Sequence, residues 1–146
     1  MLFRSLSLNL FSTTNIIDTF LPIMQAGKIV VISSICGSDL ISDAPIEYSV
    51  AKAALNHYIR LIALKYSKAG HMFNIISPGN VLFAGSRWSE KLVQDQESTL
   101  NYIKKTVPLG NFIQPNEIAD LAYFLTSPSN KSITGSIIPV DGGQVL

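Results

Sequence analysis

Two short β-branched runs constrain this chain more than any other feature. Lys28-Ile29-Val30-Val31-Ile32-Ser33 is hydrophobic at successive positions rather than at alternate ones, and Phe73-Asn74-Ile75-Ile76-Ser77, ended by Pro78-Gly79, is a second candidate buried strand. A strand that faces water on one side alternates, whereas a strand covered on both faces does not. The runs therefore predict buried strands of a parallel sheet. Between them lies a loop over 38–44, then a helical pattern that Pro45 can open at its first turn. That helix runs to about Lys68 and stops at Gly70. Parallel strands need such a crossover, and crossovers are right-handed. Ser136-Ile137-Ile138-Pro139-Val140 reads as a last strand, at an edge because its proline cannot donate to a ladder.

Helical periodicity fills the rest. Phe3, Leu6, Leu10, Ile17, Leu21 and Met24 fall on one stripe, predicting an amphipathic helix over about 2–25 with Gly27 after its end. In the helix after Pro45, Lys52, Asn56 and Arg60 make a narrow polar stripe. Most of the remainder is apolar, which predicts burial on more than one side. Residues 84–106 read as one or two helices around Trp88, Leu92, Leu100 and Ile103. Pro115 opens another, with Ile118, Leu121, Ala122 and Leu125 inward and Pro128 closing it. The expected architecture is one α/β domain over 1–146, a doubly wound parallel sheet of about three strands.

Composition excludes several functions. A net charge of +1 with no basic stripe argues against nucleic-acid binding. No apolar run approaches the ~18 residues that suggest a membrane span. Asn9, Ser12, Thr13, Thr14 and Asn15 interrupt any signal-peptide core. The lone cysteine, Cys36, rules out an internal disulfide and suits a reducing, cytoplasmic setting, most simply as a small buried hydrophobe. Two histidines and one cysteine without ligand spacing give no metal site. Only 14% of residues are charged, against about 25% typically, which predicts apolar surface meant for a partner or for further chain.

The chemistry concentrates where the first strand ends and the long helix begins. Tyr48 and Lys52 are four residues apart and share one helix face. A phenol ionises near pH 10, so bringing it to neutrality takes about 4 kcal/mol, within reach of one cation about 4 Å away at an effective dielectric of ~20. Ser34 lies just past a strand's carboxyl end, where open α/β sheets place ligands, and its hydroxyl both donates and accepts. Chance alone gives about 0.3 Tyr-x-x-x-Lys pairs in such a chain, so the context decides. A serine hydrolase using Ser34 with His57 or His71 is disfavoured, because no Gly-x-Ser-x-Gly elbow is present.

Taken together, the motifs resemble those of the short-chain dehydrogenases/reductases. They are Asn9-Leu10, Ile32-Ser33-Ser34-Ile35-Cys36-Gly37, Tyr48-Ser49-Val50-Ala51-Lys52 and Asn74-Ile75-Ile76-Ser77-Pro78-Gly79-Asn80-Val81. Val107-Pro108-Leu109-Gly110, Pro115-Asn116-Glu117-Ile118-Ala119, Ile133-Thr134-Gly135 and Val140-Asp141-Gly142-Gly143 follow in the family's order. The resemblance implies NAD(P)-dependent interconversion of a small-molecule carbonyl and its alcohol. It makes Tyr48 the general acid/base, Lys52 the group that lowers its pKa and holds the nicotinamide ribose, and Ser34 the substrate-orienting hydroxyl. Asn9 would hold a water in the proton relay. Pro78, Gly79 and Val81 would lie against the nicotinamide, although Leu82-Phe83 stand where a cofactor-binding threonine often follows.

The resemblance covers only the family's carboxyl-terminal part. The glycine-rich turn that cradles the pyrophosphate has no counterpart here; the nine glycines are scattered. The residue that decides between NAD and NADP also falls outside the matched part, so the expected cofactor is NAD or NADP. An unpaired edge on the first strand, and family contacts through the first helix and the Tyr-Lys helix, imply a homo-oligomer or association with a full-length relative. The alternative to an active enzyme is a non-catalytic truncated product that docks on such a relative.

Overall fold

The computed structural model describes residues 1–146. Strands β1 (Lys28–Ile32), β2 (Met72–Pro78) and β3 (Ile137–Val140) form one parallel sheet in the order β1-β2-β3. Lys28 pairs with Met72 through to Ile32 with Ile76, and Ile75 with Ile137 through to Pro78 with Val140. β2 is central, and Phe73 through Pro78 are all buried, the polar Asn74 and Ser77 among them, as a strand covered on both faces requires. β3 is an edge, with Pro139 turned to solvent.

One face of the sheet carries α3 (Ile46–Tyr66) over β2, with α1 (Leu2–Leu6) and α2 (Ser12–Phe20) beside it. Leu55, Ile59 and Ala63 of α3 meet Val31, Phe73 and Ile75 of the sheet, with Ile17 and Leu21 closing the cluster. Each fully buried Leu, Ile or Phe contributes about 1.5–3 kcal/mol. The opposite face carries α6 (Pro115–Thr126), with Leu125 buried. Between β2 and α6 the chain forms α4 (Arg87–Gln94) and α5 (Gln96–Thr106), so residues 84–106 make two helices.

Buried amides anchor the return to β3. Asn74 Nδ2 donates to the Ile133 carbonyl at 2.7 Å, and its Oδ1 accepts from the Ser136 amide at 3.3 Å. Asn130 Nδ2 donates to the Leu125 carbonyl at 2.9 Å and its Oδ1 accepts from the Ile133 amide at 2.9 Å. Lys28 Nζ donates to the carbonyls of Ser127 and Asn130, tying the exit of α6 to the start of β1.

Three expectations need correction. The segment over 2–25 is not one regular helix: a π turn at Ser7–Phe11 separates α1 from α2, and Pro22 confines Leu21–Ile23 to a 3-10 turn. The wider π turn shifts the phase of the stripe, so Ile17 and Leu21 are buried while Phe3 is 86% exposed. In α3 the expected polar stripe breaks at Asn56, which is buried. Burial on more than one side does not occur within the chain either: Val50, Leu61 and Leu64 are exposed, because no other element covers that face.

Candidate active site

Local rules place Ser34. The Ser33 amide donates to the Ile76 carbonyl at 2.8 Å, continuing the ladder one residue past β1. Ser34 then caps a 3-10 turn over Ile35–Gly37, its Oγ accepting from the Cys36 amide at 3.2 Å. Gly37 presses this turn onto α3. A Cβ there would sit 2.7 Å from the Lys52 carbonyl carbon and 2.8 Å from its oxygen, closer than real Cβ contacts allow. The hydroxyl of Ser34 is therefore fixed against the turn of α3 that carries Tyr48 and Lys52.

Pro45 supplies the N-cap of α3, and the Tyr48 amide donates to its carbonyl at 3.1 Å. Lys52 lies one turn on, its Nζ 5.7 Å from the centre of the Tyr48 ring and donating to the Ile32 carbonyl at 3.3 Å. An ammonium has three donors, so two remain for a ligand. From β2, the Gly79 amide donates to the Val140 carbonyl at 2.9 Å. A Cβ at Gly79 would come 2.9 Å from Cβ of Asp141, so only glycine lets these chain ends pack so closely. Asp141 holds the adjoining turn, its carboxylate accepting from the amides of Gly143 and Val145 at 2.9 and 3.0 Å. Val81 bridges to Ile113 just beyond.

Two cavities meet at Ser34, Tyr48 and Gly79. One, of about 540 Å³, lies toward α6; Pro78, Val81, Ile32, Phe83, Pro115 and Ile118 form its walls. The other, of about 400 Å³, opens toward α4 and α5 and is lined by Cys36, Asp43, Asn80, Arg87, Trp88, Lys91 and Tyr102 among others. Ser34, Tyr48, Pro78, Gly79 and Val81 are thus brought together at the first cavity, and Lys52, which lines neither, stands beside the Tyr48 ring. Asn9 is not with them: it sits in the π turn, lines neither cavity, and its Nδ2 donates to the Ser5 carbonyl at 3.1 Å. The sequence reading missed Ile32, Phe83, Pro115 and Ile118, whose only signal was apolar character near strand ends or a helix start. Cys36 is half-buried and borders the site rather than the core.

The electrostatics differ from expectation at one point. Burial pushes the Tyr48 phenol above its usual value; the Ser34 hydrogen bond pulls it partly back, and the Cys36 sulfur adds to the rise. Burial also lowers the pKa of Lys52. The ammonium spends a donor on the Ile32 carbonyl and is itself partly desolvated, so it does not bring the phenol toward neutrality. Tyr48 stands as a protonated donor at neutral pH, the form suited to giving a proton to a carbonyl oxygen.

A nicotinamide ring suits the larger cavity. Its apolar walls match a flat heteroaromatic face, and Ser34 and Tyr48 supply the polar rim. The fit stops there, since no glycine-rich turn beside β1 in this sequence offers amides to a pyrophosphate.

A parallel sheet between helical layers, with Ser34, Tyr48 and Lys52 near the strands' carboxyl end, defines a Rossmann-like fold. A family model described as enoyl-(acyl carrier protein) reductase matches residues 2–144. The chain belongs to the short-chain dehydrogenase/reductase family. It is 32% identical over 146 residues to the oxidoreductase UcpA of Escherichia coli O157:H7, covering 97% of this chain and 56% of that one. A 3-oxoacyl (acyl-carrier-protein) reductase from Agrobacterium tumefaciens C58, solved with NADP bound, superposes with a TM-score of 0.85 at 29% identity over 92% of this chain and 52% of that one. A 3-oxoacyl-[acyl-carrier protein] reductase from Brucella melitensis with bound NAD gives 0.80 at 26%, over 94% and 49%. The chain spans about half the length of the relatives it matches.

Proposed function

We propose that this chain carries the proton-transfer half of an NAD(P)-dependent oxidoreductase acting on a small-molecule carbonyl or the corresponding alcohol. The observation that carries this reading is the convergence of Ser34 and Tyr48 on one cavity with Pro78, Gly79 and Val81, while Lys52 stands beside the phenol. A bound nicotinamide, NAD or NADP, supplies hydride to the substrate carbon. Ser34 orients the substrate oxygen, Tyr48 donates the proton to it, and the free donors of Lys52 hold the ribose hydroxyls. The apolar walls at Pro78, Val81 and Ile118 would lie against the ring. Asn9 enters on the resemblance alone, as the residue that would hold a relay water. Relatives bound to NADP and to NAD support the cofactor class and leave both nucleotides in the proposal.

The purified chain, mixed with NADH or NADPH and a panel of ketones, should show little or no consumption of the reduced nicotinamide on its own, and whatever turnover high cofactor concentrations bring out should be lost in Tyr48→Phe. Turnover that survives Tyr48→Phe overturns the assignment. The missing phosphate cradle predicts weak cofactor binding by the chain alone, and micromolar affinity would contradict that part.

A second reading has its own observation. Phe3, Phe11, Ile16, Val50, Leu61 and Leu64 leave α1, the π turn, α2 and α3 with exposed apolar surface. Such surface supports self-association or docking on a full-length relative through these helices. Size-exclusion chromatography with and without such a relative tests it; a monodisperse monomer that ignores the relative removes this reading. No helix is long and apolar enough to cross a membrane, and a cytoplasmic placement rests on Cys36 alone.

A further inference from the structure

The smaller cavity at Tyr48 has a chemistry that carbonyl reduction does not require. Arg87 opens α4, and Lys91 follows it one turn later on the same face. Both line the cavity that Ser34 and Tyr48 close at its inner end. Lys91 Nζ lies 4.7 Å from the centre of the Trp88 ring and 5.9 Å from that of Tyr102. These two rings are stacked at 5.5 Å, and Phe112 backs Trp88 at the same separation. The aromatic layer therefore fixes a half-buried ammonium in the cavity wall instead of leaving it to wander in solvent. One carboxylate, Asp43, shares the cavity. Two cations against one anion leave the cavity with a formal charge of +1 from Arg87, Lys91 and Asp43.

We propose that this cavity selects carbonyl substrates bearing a carboxylate or a comparable acidic group, with the ketone at Ser34 and Tyr48 and the anion at Lys91 and Arg87. The inference rests on the redox reading of the site for the ketone end only. Charge-assisted hydrogen bonds to a guanidinium or ammonium are about twice as strong as neutral ones, so an acid should outbind its ester. Lys91, held by the rings, sets the position of the anion. Arg87, exposed at the mouth, adds attraction that falls with salt.

Trp88 is the only tryptophan in the chain, so its fluorescence reports this cavity without any need for turnover. The full chain would be titrated with levulinate, its next longer homologue and their methyl esters, at low and high salt. At least one acid should change the Trp88 signal at a concentration about tenfold lower than its ester, with the difference shrinking at high salt. Lys91→Gln and Arg87→Gln should each reduce the preference, and together bring acid and ester level. Equal binding of acids and esters by the unaltered chain, or no response to any of them, overturns the proposal even if neither variant folds. The redox reading fails separately: if Tyr48→Phe and the parent both prefer the acid but neither consumes NADH or NADPH, only the assignment of catalysis falls. If esters are reduced as fast as acids, only the anion selectivity falls.

Discussion

The carboxyl end of the sheet and the outer edge of β1 are finished to different degrees. At the carboxyl end, each group of the site is pinned by contacts from this chain. Gly37 seats the Ser34 turn on α3, Gly79 seats β2 against Asp141, and Lys52 reaches back to the Ile32 carbonyl. Along the outer edge of β1 the ladder has no partner, since β2 pairs with the inner edge only. The Ser33 amide points toward β2, so by alternation the amides of Val30 and Ile32 point outward, and Ile32 is 46% exposed. Proton transfer needs a few side chains on adjacent turns, which one half of a sheet can hold. A dinucleotide needs a wider platform, because its phosphates bind at a distant helix N-terminus.

Substitutions at the two regions should separate them. Gly37→Val has the largest expected effect: overpacking against the backbone of Lys52 should cost about 3 kcal/mol, read as a lower urea midpoint. A midpoint unchanged from the parent would show that the turn does not rest on α3. Asn74→Ala removes two buried hydrogen bonds to the loop before β3 and should cost about 2 kcal/mol. By contrast, Val30→Pro at the open edge removes no ladder bond and should cost about 1 kcal/mol or less. It should also suppress strand-mediated aggregation of concentrated protein, followed by thioflavin fluorescence. A loss in stability as large as that of Gly37→Val would mean that this edge is covered after all.

The smallest effect concerns pH. Tyr58 donates to Asp18 Oδ1 at 2.8 Å, and its phenol is pushed up to about 12 by burial first and by the Asp18 bond and charge second. The folded state thus keeps a proton that the unfolded state releases near pH 10. The contribution is fully present below about pH 10 and is lost as pH rises toward 12. Tyr58→Phe should flatten that alkaline limb in stability measurements while costing under about 1 kcal/mol at neutral pH, since the pair is exposed.

Phe73, Ile75 and Ile76, closed by Pro78-Gly79, announced the central strand even with Asn74 among them, because burial on both faces removes the need for alternation. Pro45 and Gly70 act for local reasons that operate in any context: Pro45 became the N-cap of α3, and Gly70, with a left-handed φ of 86°, caps the 3-10 turn Ser67–Ala69 that follows it. The Tyr48–Lys52 spacing and the strand-end position of Ser34 were legible for the same reason. Long-range choices were not. Periodicity could not reveal the π turn around Asn9, because the same stripe suits a regular helix. Nor could it show that Asn56 turns inward beneath Gly37, whose Cβ would meet Asn56 Nδ2 at 2.9 Å. The rise in the Tyr48 pKa comes first from burial, which is a property of the assembled site.

The pairing of the Tyr48 phenol with the Ser34 hydroxyl is the centre of this account, and tyrosine ring-carbon NMR on labelled protein tests it most directly. The resonance of Tyr48, assigned through Tyr48→Phe, should titrate above the ordinary phenol value of about 10. It should move higher still in Ser34→Ala, because the hydroxyl that favours the phenolate is gone. A Tyr48 that ionises at or below the ordinary value, or that ignores Ser34→Ala, would show that the two groups do not share a site.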